Sequence, residues 1–249
     1  MDNTISGYFL GVLGGMGPAA TASFSARLAA LTPADVDQEH IPNVVCNDPR
    51  IPDRSTARLG QGPDPLPHML RGIAMLNRAG VQCIAIPCNT AHFWYDALVA
   101  ASDAPVLHII ECVIDDLKRQ GIHRGRIGVL GTAGTLREGI YQDYLHRAGY
   151  DTVAPESDAD IEQYCSMPIR AVKGNRVADA FAPVAAGIDA LKARGAIAVV
   201  MGCTELPLAA PMARRDELSL PVSDSIDALA LAVIARYQAA ASTQGAGHR

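Results

Sequence analysis

The sequence predicts an α/β protein built from two similar parallel-sheet lobes, related by duplication about a pseudo-twofold axis, with the active site in the cleft between them. Two observations lead there. Short apolar runs alternate with helix-length amphipathic patterns, as in chains of βαβ units. In addition, three blocks recur in the same order at nearly constant spacing.

LGVLG, running into GGMGP (to Pro18), returns as IGVLG followed by TAGT (127–135); Gly14 then matches Gly131 and Gly17 matches Gly134, 117 residues on. GVQCIAIPCNT (80–90) returns as GAIAVVMGCTE (195–205), which pairs Cys88 with Cys203 at a spacing of 115. Pro105-Val106 returns as Pro221-Val222 at a spacing of 116. In order along the chain, the patterns read as a strand around Val12 and a helix over Ala19–Leu31, with Pro18 suited to its first turn. A strand follows near Val44-Val45, and then a Pro-, Gly- and Asp-rich loop from Arg50 to Pro67. Helices are predicted over Leu66–Ala79, Ile109–Gln120, Leu136–Ala148 and Val177–Ala193, with buried strands at Ile84-Ala85-Ile86 and Ala198-Val199-Val200. Each lobe should carry a parallel sheet of about four strands. The first lobe takes residues 1–104 plus about 219–242, the second takes 105–218, and 243–249 form a frayed tail because Ala239–Arg249 lacks periodicity.

The 249 residues are 49% hydrophobic, enough for a substantial core, and carry a net charge of -5 with Lys and Arg scattered. No basic footprint for nucleic acid is present. No apolar run approaches the roughly 18 residues of a membrane span, and the N-terminal stretch lacks the basic start and small-residue cleavage pattern of a secretory signal. A cytoplasmic protein is expected. None of the six cysteines forms a C-x-x-C pair, so the common zinc and dithiol spacings are absent, and neither metal nor cofactor is expected. Cys46, Cys83, Cys112 and Cys165 read as small core residues.

Cys88 and Cys203 stand apart. Each is read as the last residue of its strand, where ligands of open parallel sheets bind. Lobes facing one another across the axis bring both thiols to one cleft. Backbone N–H groups of the following turn, with Asn89, Thr90 and Thr204, can poise a thiolate, and a thiolate with its conjugate thiol forms a base and acid pair. Racemisation needs that symmetry, because one group takes the α-proton from one face while another returns a proton to the opposite face. The glycine turns, Gly14-Gly15-Met16-Gly17 and Gly131 to Thr135 (including Thr132), offer donors to the substrate α-carboxylate.

The segments GGMGPAAT (14–21), IPDR (51–54), PCNTAH (87–92) and GCTE (202–205) resemble the aspartate/glutamate racemase family, and its aspartate racemase branch most closely, over Gly11 to about Ala235. The resemblance implies that Cys88 and Cys203 are the paired acid/base residues. It also implies that Asn89, Thr90, Ala91, Thr204 and Glu205 line the substrate site, and that the enzyme works without cofactor as a homodimer. Arg54 matches the family arginine that meets the distal carboxylate, and Lys173 sits where the family has a lysine in a similar role. A guanidinium fork and an ammonium suit an acidic amino acid, aspartate or glutamate.

Other readings stay open at this point. His92 either tunes the Cys88 thiolate or packs, and His108 either narrows the pocket or packs. Glu205 either orients a thiol or accepts the substrate ammonium. Asp48 and Asp53 read as loop braces, and Arg170 as a solvated charge. The same fold supports broad-specificity amino-acid racemases, hydantoin racemases, diacid cis–trans isomerases and single-cysteine decarboxylases. Gly15 to Ala20 also fits a G-x-G-x-x-A nucleotide fingerprint, but Asp35 and Asp37, about 20 positions on, fall in a polar loop. A non-catalytic two-lobed binder is the last alternative.

Overall fold

Parallel strands covered on both faces require continuous apolar runs, and β1 (Leu10–Gly14) is one, buried at all five positions. The computed structural model describes residues 7–246. After β1, the helix α1 (Pro18–Leu31) opens on the expected proline. Next come β2 (Asn43–Asn47), α2 (Arg54–Arg58), α3 (Leu66–Arg78), β3 (Cys83–Ala85), α4 (Tyr95–Ala100) and α5 (Ile109–Arg119). The second half runs β4 (Arg126–Gly131), α6 (Ala133–Arg137), α7 (Ile140–Arg147), β5 (Asp151–Val153), α8 (Asp158–Ile161), α9 (Met167–Lys173), α10 (Phe181–Ala193), β6 (Ala198–Gly202), α11 (Leu206–Ala209), β7 (Val222–Asp224) and α12 (Ser225–Ala246).

Two all-parallel sheets result, ordered β2-β1-β3 and β5-β4-β6-β7. The first gains a fourth position through a single parallel bridge, Ile84 to Val106. The lobes repeat one another in detail at the spacings seen in the sequence. Ile84 N donates to Pro105 O at 2.9 Å, and Val199 N donates to Pro221 O at 3.0 Å. Gln82 N meets Phe9 O as Ile197 N meets Arg126 O, both at 2.9 Å. The helix packed on each central strand is seated alike. A methyl group on Gly11 would lie 3.1 Å from Leu76, and one on Gly128 would lie 3.0 Å from Leu191. One on Gly72 would lie 2.3 Å from Leu13, and one on Gly187 3.5 Å from Leu130. At Gly72 the helix approaches the strand too closely for a β-carbon, and at Gly11 and Gly128 the fit is tight. α12 returns to the first lobe and packs on α1 and α5, where Asp227 takes a bidentate pair from Arg27 at 2.6 and 2.9 Å.

Several expectations need correction. Cys88 is not the last residue of its strand: β3 ends at Ala85, since Pro87 has no N–H for the ladder, and Cys88 lies three residues beyond. Cys203 directly follows β6. The loop from Arg50 to Pro67 contains α2, which exists because the Asp53 side chain accepts from Ser55 N and Thr56 N, both at 2.9 Å. The helix expected over Leu136–Ala148 is broken into α6 and α7 at Gly139, whose φ of 70° is left-handed. The one expected over Val177–Ala193 starts as a 3₁₀ turn, Val177–Asp179, before α10. The tail is helical through Ala246, because alanines supply propensity where no packing supplies period, and the Ser242 and Thr243 hydroxyls turn back to Gln238 O and Ala239 O within the helix. Residues 247–249 of that tail, and residues 1–6 of the stretch screened for a signal, lie outside the described residues. The lobe limits also shift: β7 pairs in the second sheet although it falls within 219–242, and Val106 bridges the first sheet although it falls within 105–218.

Candidate active site

Beyond the carboxyl ends of the strands, both sulfur-bearing turns converge on one cavity. Its lining includes Cys88, Asn89 and Thr90 from the first lobe and Cys203, Thr204 and Glu205 from the second. Met16, Asp53, Arg54, Ser55, Thr132 and Lys173 complete it. The cavity holds about 20 Å³, roughly the space of one water molecule. Gly15 and Ala91, expected at the substrate, do not line it. The Gly15 N–H is already spent on Thr21 Oγ1 at 2.9 Å, and Ala91 is buried within the turn after Cys88. A larger, open hollow of about 300 Å³ lies at the start of β4 and β5, away from the cysteines.

The Cys88 turn is fixed by its backbone. Cys88 N donates to Ile86 O at 2.7 Å, and the Cys88 carbonyl meets His92 Nδ1 at 2.9 Å. Ile109 N donates to His92 Nε2 at 3.2 Å, so Nε2 accepts and the ring proton sits on Nδ1. Burial pushes the His92 pKa down to about 4, which keeps the ring neutral in this role. His92 is therefore a backbone clamp. His108 accepts from Ile110 N at 3.3 Å, capping α5, and packs against the rings of His92, Tyr95 and Tyr144, outside the cavity lining.

Asn89 is oriented by two groups that the sequence did not single out. Tyr141 Oη donates to its Oδ1 at 2.6 Å, and its Nδ2 donates to Ser225 Oγ at 3.0 Å. One amide N–H of Asn89 remains for a ligand. Thr90 reaches into the other lobe, where its hydroxyl joins those of Thr132 and Thr135 in a triangle with sides of 3.2, 3.1 and 2.9 Å. No motif or spacing marks Tyr141 in the sequence; its buried ring packs on a strand glycine, where a methyl group on Gly202 would lie 2.8 Å away.

The charged groups gather on one side. Arg54 is buried, its Nη1 donates to Ile51 O and Pro52 O, and its Nε has no hydrogen-bond partner among the described residues. Lys173 Nζ lies 3.6 Å from Asp53 Oδ2. Burial opposes the lysine charge, but Glu205, Cys203 and Asp53 outweigh it and its pKa is raised. Asp53 thus both caps α2 and holds Lys173, more than the loop brace expected. Arg170, expected to be solvated, forms an exposed pair with Glu162. Cys203 Sγ donates to Glu205 Oε2 at 3.1 Å. Burial, and then the Glu205 charge, push the Cys203 thiol well above its usual value. Of the other thiols, Cys83 is pushed up to about 11 and Cys112 and Cys165 to about 12 by burial, as befits core residues.

A methyl group on Gly17 would lie 3.1 Å from Glu205 Oε1. The start of α1 therefore already faces a carboxylate, which disfavours the pyrophosphate of the nucleotide reading. Among the described residues no group of three or more His, Cys, Asp or Glu is placed to hold a metal, and no helix is long and apolar enough to cross a membrane.

Two parallel-sheet lobes thus meet at one polar cavity to which each contributes a cysteine. The Asp/Glu/hydantoin racemase family matches residues 13–233, and the chain belongs to that family. The aspartate racemase of Picrophilus torridus superposes with a TM-score of 0.81 at 32% identity, over 93% of this chain and 95% of that one. The broad specificity amino-acid racemase RacX of Bacillus subtilis is 30% identical over 58% of this chain, and the match spans 63% of its own length. A glutamate racemase of Corynebacterium diphtheriae is 30% identical over 78% of this chain and 71% of its own.

Proposed function

We propose that the protein racemises an acidic amino acid, aspartate or glutamate, without a cofactor, by passing the α-proton between Cys88 and Cys203. The observation that carries this reading is that both thiols line the one cavity where Arg54 and Lys173 also meet. On this reading, one sulfur takes the proton from one face of Cα while the other delivers its own to the opposite face. The free amide N–H of Asn89 and the hydroxyls of Thr90, Thr132 and Thr204 take the α-carboxylate, where carbanion charge develops. Arg54, with its unpartnered Nε, and Lys173 take the distal carboxylate. Aspartate racemase in P. torridus and broad specificity in RacX mark the two ends of the substrate range to be tested.

Proton NMR in D₂O with L- and D-aspartate, L-glutamate, L-alanine and maleate tests the reading. Wild-type protein is expected to form the opposite enantiomer of an acidic substrate with deuterium at Cα. Cys88→Ser and Cys203→Ser should each abolish inversion. Full inversion by either variant, or isomerisation of maleate alone, would sink the two-thiol mechanism.

A further inference from the structure

The reaction assigned to this cavity is symmetric, yet the groups beside the two sulfurs are not. The repeat that pairs Cys88 with Cys203 also pairs Thr90 with Glu205, at the same spacing of 115 residues. Thr90 turns away from its cysteine into the hydroxyl triangle of Thr132 and Thr135. Glu205 turns toward its cysteine: Oε2 accepts the Cys203 Sγ–H at 3.1 Å and lies 3.4 Å from the Thr204 hydroxyl. Both Glu205 and Cys203 are buried, at 3% and 5% exposure, so water does little to dilute the contact.

We propose that Glu205 is a positioning residue that makes the two thiols unequal, holding the proton of the free enzyme on Cys203 and leaving Cys88 as the base. The inference rests on the two-thiol reading above and assigns the order of proton movement within it. A thiolate on Cys203 would stand against the Glu205 carboxylate and lose the bond that the thiol donates, so the proton stays on Cys203. The free enzyme is then poised for the enantiomer whose α-hydrogen faces Cys88. In that turnover the Cα–H bond breaks and its proton passes to Cys88 Sγ. The carbanion takes the Cys203 proton on its other face, and the enzyme is left with a Cys88 thiol and a Cys203 thiolate. That form is the disfavoured one, and it returns to the starting form by exchanging protons with solvent. Burial and Glu205 raise the Cys203 thiol pKa, while Lys173 of α9 acts against them. Asp53 and Arg54 at α2, Tyr141 of α7 and Cys88 itself are the other titratable or charged groups facing the pair.

Alkylation by iodoacetamide across a pH series, read by peptide mass spectrometry at each cysteine, tests the assignment without turnover. In wild-type protein Cys88 should react about tenfold or more faster than Cys203 near neutral pH, because the thiolate is the species that alkylates. Glu205→Gln keeps the shape of the side chain and removes its charge. It should lower the pH midpoint of Cys203 alkylation and leave the rate of Cys88 alkylation unchanged. A Cys203 that reacts as fast as Cys88 in wild type, or whose midpoint does not move in the variant, overturns the assignment. Should Glu205→Gln fail to fold, the wild-type order alone decides. These outcomes are separate from the two-thiol reading, which stands or falls with inversion by the cysteine variants.

Discussion

Asn89 shows how much of this site depends on single hydrogen bonds. Its side chain spans Tyr141 of α7 and Ser225 of α12, 52 and 136 residues away, and neither contact follows from local sequence. Tyr141→Phe leaves a buried carbonyl without a donor, which costs about 1–3 kcal/mol. A comparable drop in unfolding free energy by urea titration is expected, with kcat for aspartate falling more than KM rises because Asn89 loses its orientation. Unchanged kcat would show that Asn89 does not depend on the tyrosine. Arg54 carries a different expectation. Arg54→Leu should lower kcat/KM for aspartate by about 10- to 100-fold, the loss of a charge-assisted bond, and should lower that for alanine far less. Equal losses would remove Arg54 from substrate selection. At this scale Cys88, Cys203, Arg54 and Thr90 were legible in the sequence because a repeat or a motif marked them. Gly15 was misread because a backbone N–H that looks available in a glycine turn is here consumed by Thr21, six residues on.

Among the elements, α2 was the least legible and matters most to the cavity. Five residues in a proline- and glycine-rich stretch carry no period, so only an Asp N-cap marks the helix, and Asp53 reads equally as a loop brace until its bonds from Ser55 N and Thr56 N are seen. The long strands and α3, α5 and α10 were legible because their apolar runs or stripes are set by packing on both sides of a sheet. α2 docks on α6 of the second lobe: Gly134 N donates to Ser55 Oγ at 3.0 Å, Arg58 pairs with Glu138, and Asp53 reaches Lys173. With this strap in place, the cavity has room for about one water, less than the proposed acidic substrate needs, and separation of α2 from α6 is the opening that hydrogen exchange tests. Hydrogen exchange read by mass spectrometry should show residues 53–58 and 133–138 exchanging faster than β1 and β4 in the free protein. Saturating aspartate should slow both segments together. Protection confined to one of them would mean that the strap does not close as a unit.

Across the whole molecule, the lobes are joined by layers that also carry its acid sensitivity. His92 and His108 sit where the Cys88 turn, α5 and α7 meet, with ring centroids 4.8 Å apart, and His108 stacks on Tyr144. Burial pushes His92 down to about 4 and His108 to about 3, while an unfolded histidine titrates near 6.5. Between those values the unfolded chain binds protons that the folded chain excludes, so stability rises with pH through this window. It is full above about pH 6.5 and is lost as pH falls toward 4, by up to about 1.4 kcal/mol per pH unit for each histidine. Protonation also removes what each ring does: a charged His92 can no longer accept from Ile109 N, and a charged His108 can no longer accept from Ile110 N. Urea unfolding at a series of pH values between 7 and 4 should therefore give a falling free energy. His108→Phe, which keeps a ring among Tyr95 and Tyr144 and abandons the proton site, should reduce the slope by about one histidine's share even if it lowers stability at pH 7. A variant with the wild-type slope would take His108 out of the acid sensitivity.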